Sequence, residues 1–273
     1  LFCYKIAHSI RTYRFSYFIY TFAGLKNFSN LQILLNMKKS FFFLALASIA
    51  LSSCRTDQPV VEPEVSIETQ NSYDDQAALD FLQTHYLDAK GNIKNYVATD
   101  TINKKLADLI PAPVTLPSGV IYIVRQGAQP DPGKTIGATD IIKLMSITNS
   151  YVATNTDGKS TFVAGYPFRN TVNGSGVPEV DPAYFHVKDE VLANATTQEA
   201  KQRSYYEIEG FVEALQLFKS FDLTDESNYN LQGVIIVPSR AAFGRDPYFN
   251  YSNISYRNRS FVFNFQVYKT TAR

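Results

Sequence analysis

The chain has 273 residues, 30.7 kDa, with 45% hydrophobic and 19% charged side chains. That is enough apolar material for a core of one large or two small domains, and it excludes a wholly disordered chain. The formal net charge of +1 hides an asymmetry: residues 1–53 carry six basic and no acidic side chains, while residues 54–273 carry 20 basic and 25 acidic ones, a net of −5. A mildly acidic working segment argues against nucleic acid as a partner, because binding phosphates needs a basic face.

Met37-Lys38-Lys39-Ser40 opens a run that continues through eleven apolar or small residues, Phe41 to Leu51, and ends in Ser52-Ser53-Cys54. A positive start, a short apolar stretch and small residues make a secretory signal. The run is about half of the roughly 20 residues a membrane-spanning helix needs. Leu51-Ser52-Ser53-Cys54 resembles a bacterial lipobox, which implies cleavage before Cys54, acylation of that cysteine and membrane anchoring through it. Residues 1–36 are then expected to be an upstream stretch outside the mature protein, and 37–53 the signal. Arg55 after the cysteine, rather than Asp, favours the outer membrane, facing the periplasm or the cell surface. With Cys54 acylated and Cys3 removed, no disulfide is available.

Residues 54–73, rich in Pro, Glu and polar side chains, are expected to form a tether. Asp74 or Asp75 is expected to cap a helix over 76–88 that carries Ala78, Leu79, Leu82 and Tyr86 on one stripe and ends at Gly91. A further helical turn over 104–110 completes an N-terminal helical region, 74–115. From Ser118 the period changes to that of strands, with 120–124 and 140–148 as the first two. Asp157-Gly158 marks a hairpin turn from which 162–166 returns. Residues 167–204, broken by Gly and Pro, read as an insertion. Residues 207–221 set Phe211, Leu215 and Phe218 on one helical face. Strands follow at 234–237 and 260–268, the latter with Phe261, Phe263, Phe265 and Val267 on one side. Antiparallel strands with one late helix define an α+β class.

Gly127 to Thr135 imitates a phosphate loop but has five residues between its glycines where four are needed, and two prolines remove N–H donors, so no nucleotide is expected. His85 and His186 are the histidines beyond the signal; with no Cys/His cluster no metal or other cofactor is expected. A G-x-S-x-G nucleophile elbow is absent from the sequence.

The distinctive feature is aromatic: after position 54 the sequence holds 12 Phe, 14 Tyr and no Trp. Val237-Pro238-Ser239-Arg240-Ala241-Ala242-Phe243-Gly244 resembles the V-I-P-S-x-x-A-Y-G segment of FKBP-type peptidyl-prolyl isomerases. Ile208 to Leu215 resembles that family's V-I-x-G-W-x-x-A-L. Ser260 to Phe265 resembles its last strand, and Ser118-Gly119-Val120-Ile121-Tyr122 its opening S-G-L-x-Y. The four segments occur in family order across 116–273, apart from the insertion at 167–204. The resemblance implies an antiparallel sheet wrapped around one helix. It also implies cis–trans isomerisation of proline-containing envelope polypeptides, in a pocket with Ile208 and Phe211 as floor and Phe162, Phe243 and Phe263 as walls. A dry aromatic slot favours the twisted, less polar amide over the planar one. Against a barrier of about 18–20 kcal/mol, relief of about 5 kcal/mol gives about 10⁴-fold. Several family polar positions differ: the first-strand Tyr falls on Ser146, the Asp after the wall Phe on Val163, the floor Trp on Phe211 and a Tyr on Phe243. These substitutions leave a second reading open, a non-catalytic chaperone or binding module on the same fold. A third is a spacer whose N-terminal helical region is the working part.

Overall fold

The computed structural model describes residues 64–273. The signal, Cys54 and the first part of the expected tether lie outside the described residues. From Glu64 onward the chain is fixed. The Arg257 guanidinium donates to both Glu64 carboxylate oxygens, at 2.6 and 2.9 Å, and Arg245 donates to the Val65 carbonyl.

Helix α1 spans Ile67–Thr84, beginning well before the expected start at 76. Ser66 is its cap, the hydroxyl accepting from the Thr69 N–H at 3.1 Å. Asp74, expected as a cap, instead lies fully buried within the helix. It accepts from the Gln70 amide at 3.0 Å and from the Ser239 N–H at 2.8 Å. The short strands β1 (His85–Leu87) and β2 (Ile93–Asn95) then form a hairpin. Gly91 stands in the turn between them at φ +83°, where a Cβ would strike the Leu231 carbonyl at 2.5 Å.

The main sheet has seven strands, all antiparallel. Six run in the order β3 (Val114–Thr115), β4 (Ile121–Val124), β10 (Gly233–Val237), β11 (Arg259–Thr271), β6 (Ile141–Thr156) and β7 (Lys159–Asn170), and β8 (Glu179–Val180) also joins β6. A two-stranded sheet, β5 (Lys134–Thr135) with β9 (Lys219–Ser220), lies outside it. β6 and β7 are longer than expected but turn where Asp157-Gly158 indicated, both residues having positive φ (52° and 82°). Register shifts on β6–β7 and near Val267 bend the sheet.

Helix α2 (Asp189–Ala193) lies in the 167–204 segment, and helix α3 (Glu209–Leu215) follows it. α3 is half the expected length, because the chain turns at Leu217–Phe218 to supply β9. It lies against β10, and Gly210 permits the contact: a Cβ there would meet Val237 at 2.8 Å and Val120 at 2.6 Å. The fold is therefore α+β, as expected, but the sheet is covered on two faces. On one, Phe261, Phe263, Phe265 and Val267 pack with Ile235, Val237 and α3. On the other, Val262, Val234, Ile236, Ile121 and Ile123 pack under Phe81 and Leu82 of α1. All five residues of β10 are buried, which explains its unbroken apolar run.

The 167–204 segment is not a passive insertion. Residues 167–170 complete β7, Tyr184 and Phe185 are fully buried in the α3-side core, and Val187 is fully buried as well. Among the described residues no helix is long and apolar enough to cross a membrane.

Burial raises the Asp74 pKa above the ordinary carboxylate value, outweighing the hydrogen bonds from Ser239 and Gln70. The folded state therefore holds this proton more tightly than the unfolded chain does. The contribution of Asp74 to stability is fully present below the unfolded pKa and is lost as pH rises through the raised value. The expected result is that wild type loses stability relative to Asp74→Asn as pH climbs from acid to neutral, read as urea midpoints at several pH values. A difference that is flat, or of opposite slope, refutes this account of Asp74.

Candidate functional site

Four of the five expected pocket residues meet. Ile208 sits at the N-cap of α3, Phe211 in its first turn, Phe263 on β11, and Phe243 in the loop after β10; all belong to one apolar cluster. The Phe263 ring stacks on Phe211 with centroids 4.0 Å apart and planes 18° apart. Phe243 reaches the same cluster through Phe261, at 6.0 Å.

Phe162 does not join them. It lies on the opposite face of the sheet, half-buried against Tyr151 (5.4 Å) and Phe81 of α1 (6.0 Å). The family resemblance read it as a wall, but Phe162 pairs with Ala153 in unbroken register from the turn, and two register shifts further along, between Val163 and Arg169, make Phe168 the strand's residue that turns inward. Phe168 contacts Phe261 at 5.1 Å, Tyr184 at 5.1 Å and Phe263 at 6.3 Å, mostly edge to face. The residue after the inward Phe is consequently Arg169, not Val163, so a cation stands beside the cluster.

Arg169 lies over three rings, Phe168 (4.6 Å), Tyr251 (5.1 Å) and Tyr184 (5.4 Å). Its Nε donates to Glu179 at 3.3 Å, and the Tyr184 hydroxyl donates to the other oxygen of the same carboxylate at 2.8 Å. The Tyr251 hydroxyl donates to the Tyr206 carbonyl at 2.7 Å. Burial, seconded by Glu179, drives the Tyr184 pKa far up, and burial also raises that of Tyr251. Both remain neutral phenols at physiological pH. Tyr184 comes from the segment read as an insertion, and Tyr251 and Tyr256 from a stretch given no helix or strand. Their signal was present only as a high density of Tyr with no period.

These neighbours close the centre of the cluster. Ile208, Phe211 and Phe263 have 0% exposure and Phe243 has 3%. A prolyl ring would have to displace Phe263 or Tyr184 to reach the face of Phe211. Ser146 and Thr148 stand on β6 opposite Phe265 and Phe263. Their hydroxyls are buried without a hydrogen-bond partner.

His186 is buried beside Glu207 and Arg203, its pKa lowered by burial and then by Arg203. Arg203 also donates to the Val187 carbonyl, so this group ties the 184–187 segment to the start of α3. Among the described residues no cluster of three or more His, Cys, Asp or Glu could hold a metal ion. Gly127–Thr135 connects β4 to β5, with Lys134 paired to Asp222 at 3.3 Å.

No family model matches the chain, and no curated protein does. Among solved structures it is similar to a peptidyl-prolyl cis-trans isomerase from Pseudomonas syringae pv. tomato. Identity is 10% and the TM-score 0.37, over 77% of this chain and 98% of that one. It is also similar to FkpA from Escherichia coli, at 14% identity and a TM-score of 0.36, over 99% of this chain and 95% of that one. Likenesses this distant carry no activity across; the side-chain geometry must.

Phe168 and Phe162 make opposite predictions for stability. Phe168→Ala is expected to cost about 3–5 kcal/mol, as for a fully packed aromatic residue. Phe162→Ala should cost about 1–2 kcal/mol, since part of its surface is already in solvent. Chemical denaturation of the two variants decides; equal losses would put Phe162 back in the core.

Proposed function

We propose that the protein is a lipid-anchored cell-envelope module on an FKBP-type scaffold that binds proline-containing polypeptides without catalysing their isomerisation. One observation carries this reading: Phe211, the floor of the expected slot, has no exposed surface and is covered face-on by Phe263. Isomerisation by this route needs a dry surface free to receive a twisted amide, and here the chain's own rings occupy it. The four ordered sequence segments support the scaffold, and the run ending at Cys54 supports the anchor and an outer-membrane location. The rim near the closed slot supports binding: Phe249 is 42% exposed beside Tyr205 and Tyr206.

Catalysis is the second reading, favoured by the convergence of Ile208, Phe211, Phe243 and Phe263 in one cluster. A proline-limited refolding assay at micromolar protein separates the two. The first reading expects the slow refolding phase to keep its rate while aggregation of an unfolded client is suppressed, with Phe249→Ala weakening that suppression. Acceleration of the slow phase that disappears in Phe211→Ala, with the fold retained, would establish the enzyme instead.

A further inference from the structure

The β1–β2 hairpin, the chain that follows it and the end of β4 form one continuous corner of the domain, away from the aromatic cluster. Tyr86 of β1 bridges to Lys105. Arg125, just past β4, donates to the Ala89 carbonyl of the hairpin at 2.5 Å. Leu87, Leu109, Ile110 and Val124 line a shallow depression of about 330 Å³ here, beside Lys104 and Arg125.

The charge of this corner is opposite to that of the rest. Residues 86–126 hold five basic and three acidic side chains, while the rest of the described chain holds 14 basic and 20 acidic ones. Pairing differs as well. Among the described residues Lys90, Lys94, Lys104, Lys105 and Arg125 pair with no carboxylate, whereas eleven of the other fourteen cations do. The partners of Lys90 and Lys105 are neutral: the Tyr229 ring for one, the Tyr96 ring and the Gln83 amide for the other. Two of the three acids are occupied by turns. Asp88 accepts from the Lys90 and Asn92 N–H groups, and Asp100 from those of Ile102 and Asn103, all at 2.9 Å. Asp108 is exposed.

The same corner exposes aliphatic side chains. Ile102 is 89% exposed and Ile110 71%, the most exposed large hydrophobic residues among those described. Leu109 to Pro117 run nine residues without a charge, none of them buried, and supply β3 at the edge of the main sheet. Uncovered isoleucines beside unpaired cations call for a partner that offers both anions and an apolar layer. A second copy of the chain fits poorly, since a two-fold contact would set the same cations against each other. A soluble polyanion would meet the cations and leave the isoleucines in water.

We propose that this corner docks on an anionic phospholipid bilayer, with Ile102 and Ile110 entering the boundary between headgroups and acyl chains and the lysines lying among the phosphates. The docking stands on these residues alone and does not need the acylated Cys54. It is compatible with that anchor: the ten residues 54–63 reach at most about 35 Å, longer than the roughly 27 Å of α1 that lies between Glu64 and the hairpin.

The chain contains no Trp, so Ile102→Trp in the full chain is a single fluorescent reporter. Its emission is expected to shift to the blue, and to be quenched by brominated acyl chains, on vesicles of phosphatidylcholine and phosphatidylglycerol in equal parts. Leu217→Trp, at an exposed site after α3, should not respond. Each cation near an anionic surface strengthens attachment about fivefold, so Lys94→Gln with Lys104→Gln should lower the ratio of inserted to free reporter about tenfold or more. Ile110→Asp should lower it as well. All these positions are exposed, and melting temperatures check that the variants fold. The proposal is overturned by any of five results: no shift on the anionic vesicles, an equal response at both reporters, an equal response on phosphatidylcholine alone, insertion unchanged in the double lysine variant, or a response to heparin as large as that to vesicles.

Discussion

The structure depends on β11 being covered on both faces. Its sequence, Ser260 to Tyr268, alternates Phe with Val, Asn and Gln, and all nine residues are buried. The Phe side builds the core under α3, and Val262 with Asn264 builds the layer under α1. A strand used on both faces cannot slip by one residue, since that would place Asn264 and Gln266 among the phenylalanines and Phe263 beneath the helix. The buried amides serve as register pins. Gln266 accepts from the Asn230 N–H at 2.7 Å, and Asn264 bridges two carbonyls.

The second layer reaches into the first through one carboxylate. Asp74 of α1 holds the Ser239 N–H, and the adjoining Asp75 pairs with Arg240 at 2.7 Å. Both contacts fall on the turn after β10, a few residues before Phe243. The loop that completes the aromatic cluster is thus braced from the opposite face of the sheet by the N-terminal helix. Removing that helix would release the loop as well as uncover Val262 and Ile236. This makes the helix part of the domain's construction, and it weakens the idea that the region is an independent working part on a spacer.

Legibility followed the range of the cause. The Asp157-Gly158 turn, the Phe periodicity of β11 and the apolar run of β10 are local, and each was readable. So were Ile208, Phe211, Phe243 and Phe263 as neighbours, because each lies within a short segment with a family likeness. Phe162 failed because its own segment does not say which face of β7 meets the aromatic cluster, and the bulges that turn Phe168 inward lie beyond it, between Val163 and Arg169, with no mark in the composition of β7. The start of α1 failed because Asp74, a good cap by residue type, is retained for a partner 165 positions away. The role of 167–204 failed because Tyr184 and Phe185 are buried by tertiary contact, without any period that a strand or helix would impose.

An open hydrophobic slot and a filled hydrophobic core compete for the same side chains. A slot keeps its floor bare by spending rigid scaffolding around it, and its floor residue retains a solvent-reachable face. In this chain the floor is Phe211, which has no ring N–H to hold it at an edge, and a second phenylalanine lies flat upon it. Phe168, Tyr184, Tyr251 and Tyr256 then complete the packing, while Arg169 shields the rings from water and Glu179 neutralises it. Each of these residues gains dispersion and apolar burial by moving inward, and none gains from leaving the centre empty. Arg169 adds a local constraint, because withdrawing Tyr251 or Tyr184 to admit a peptide would leave the guanidinium with fewer rings to cover. Closure is therefore the arrangement these side chains favour, with the hydroxyls of Ser146 and Thr148 buried and unpaired on the neighbouring strand.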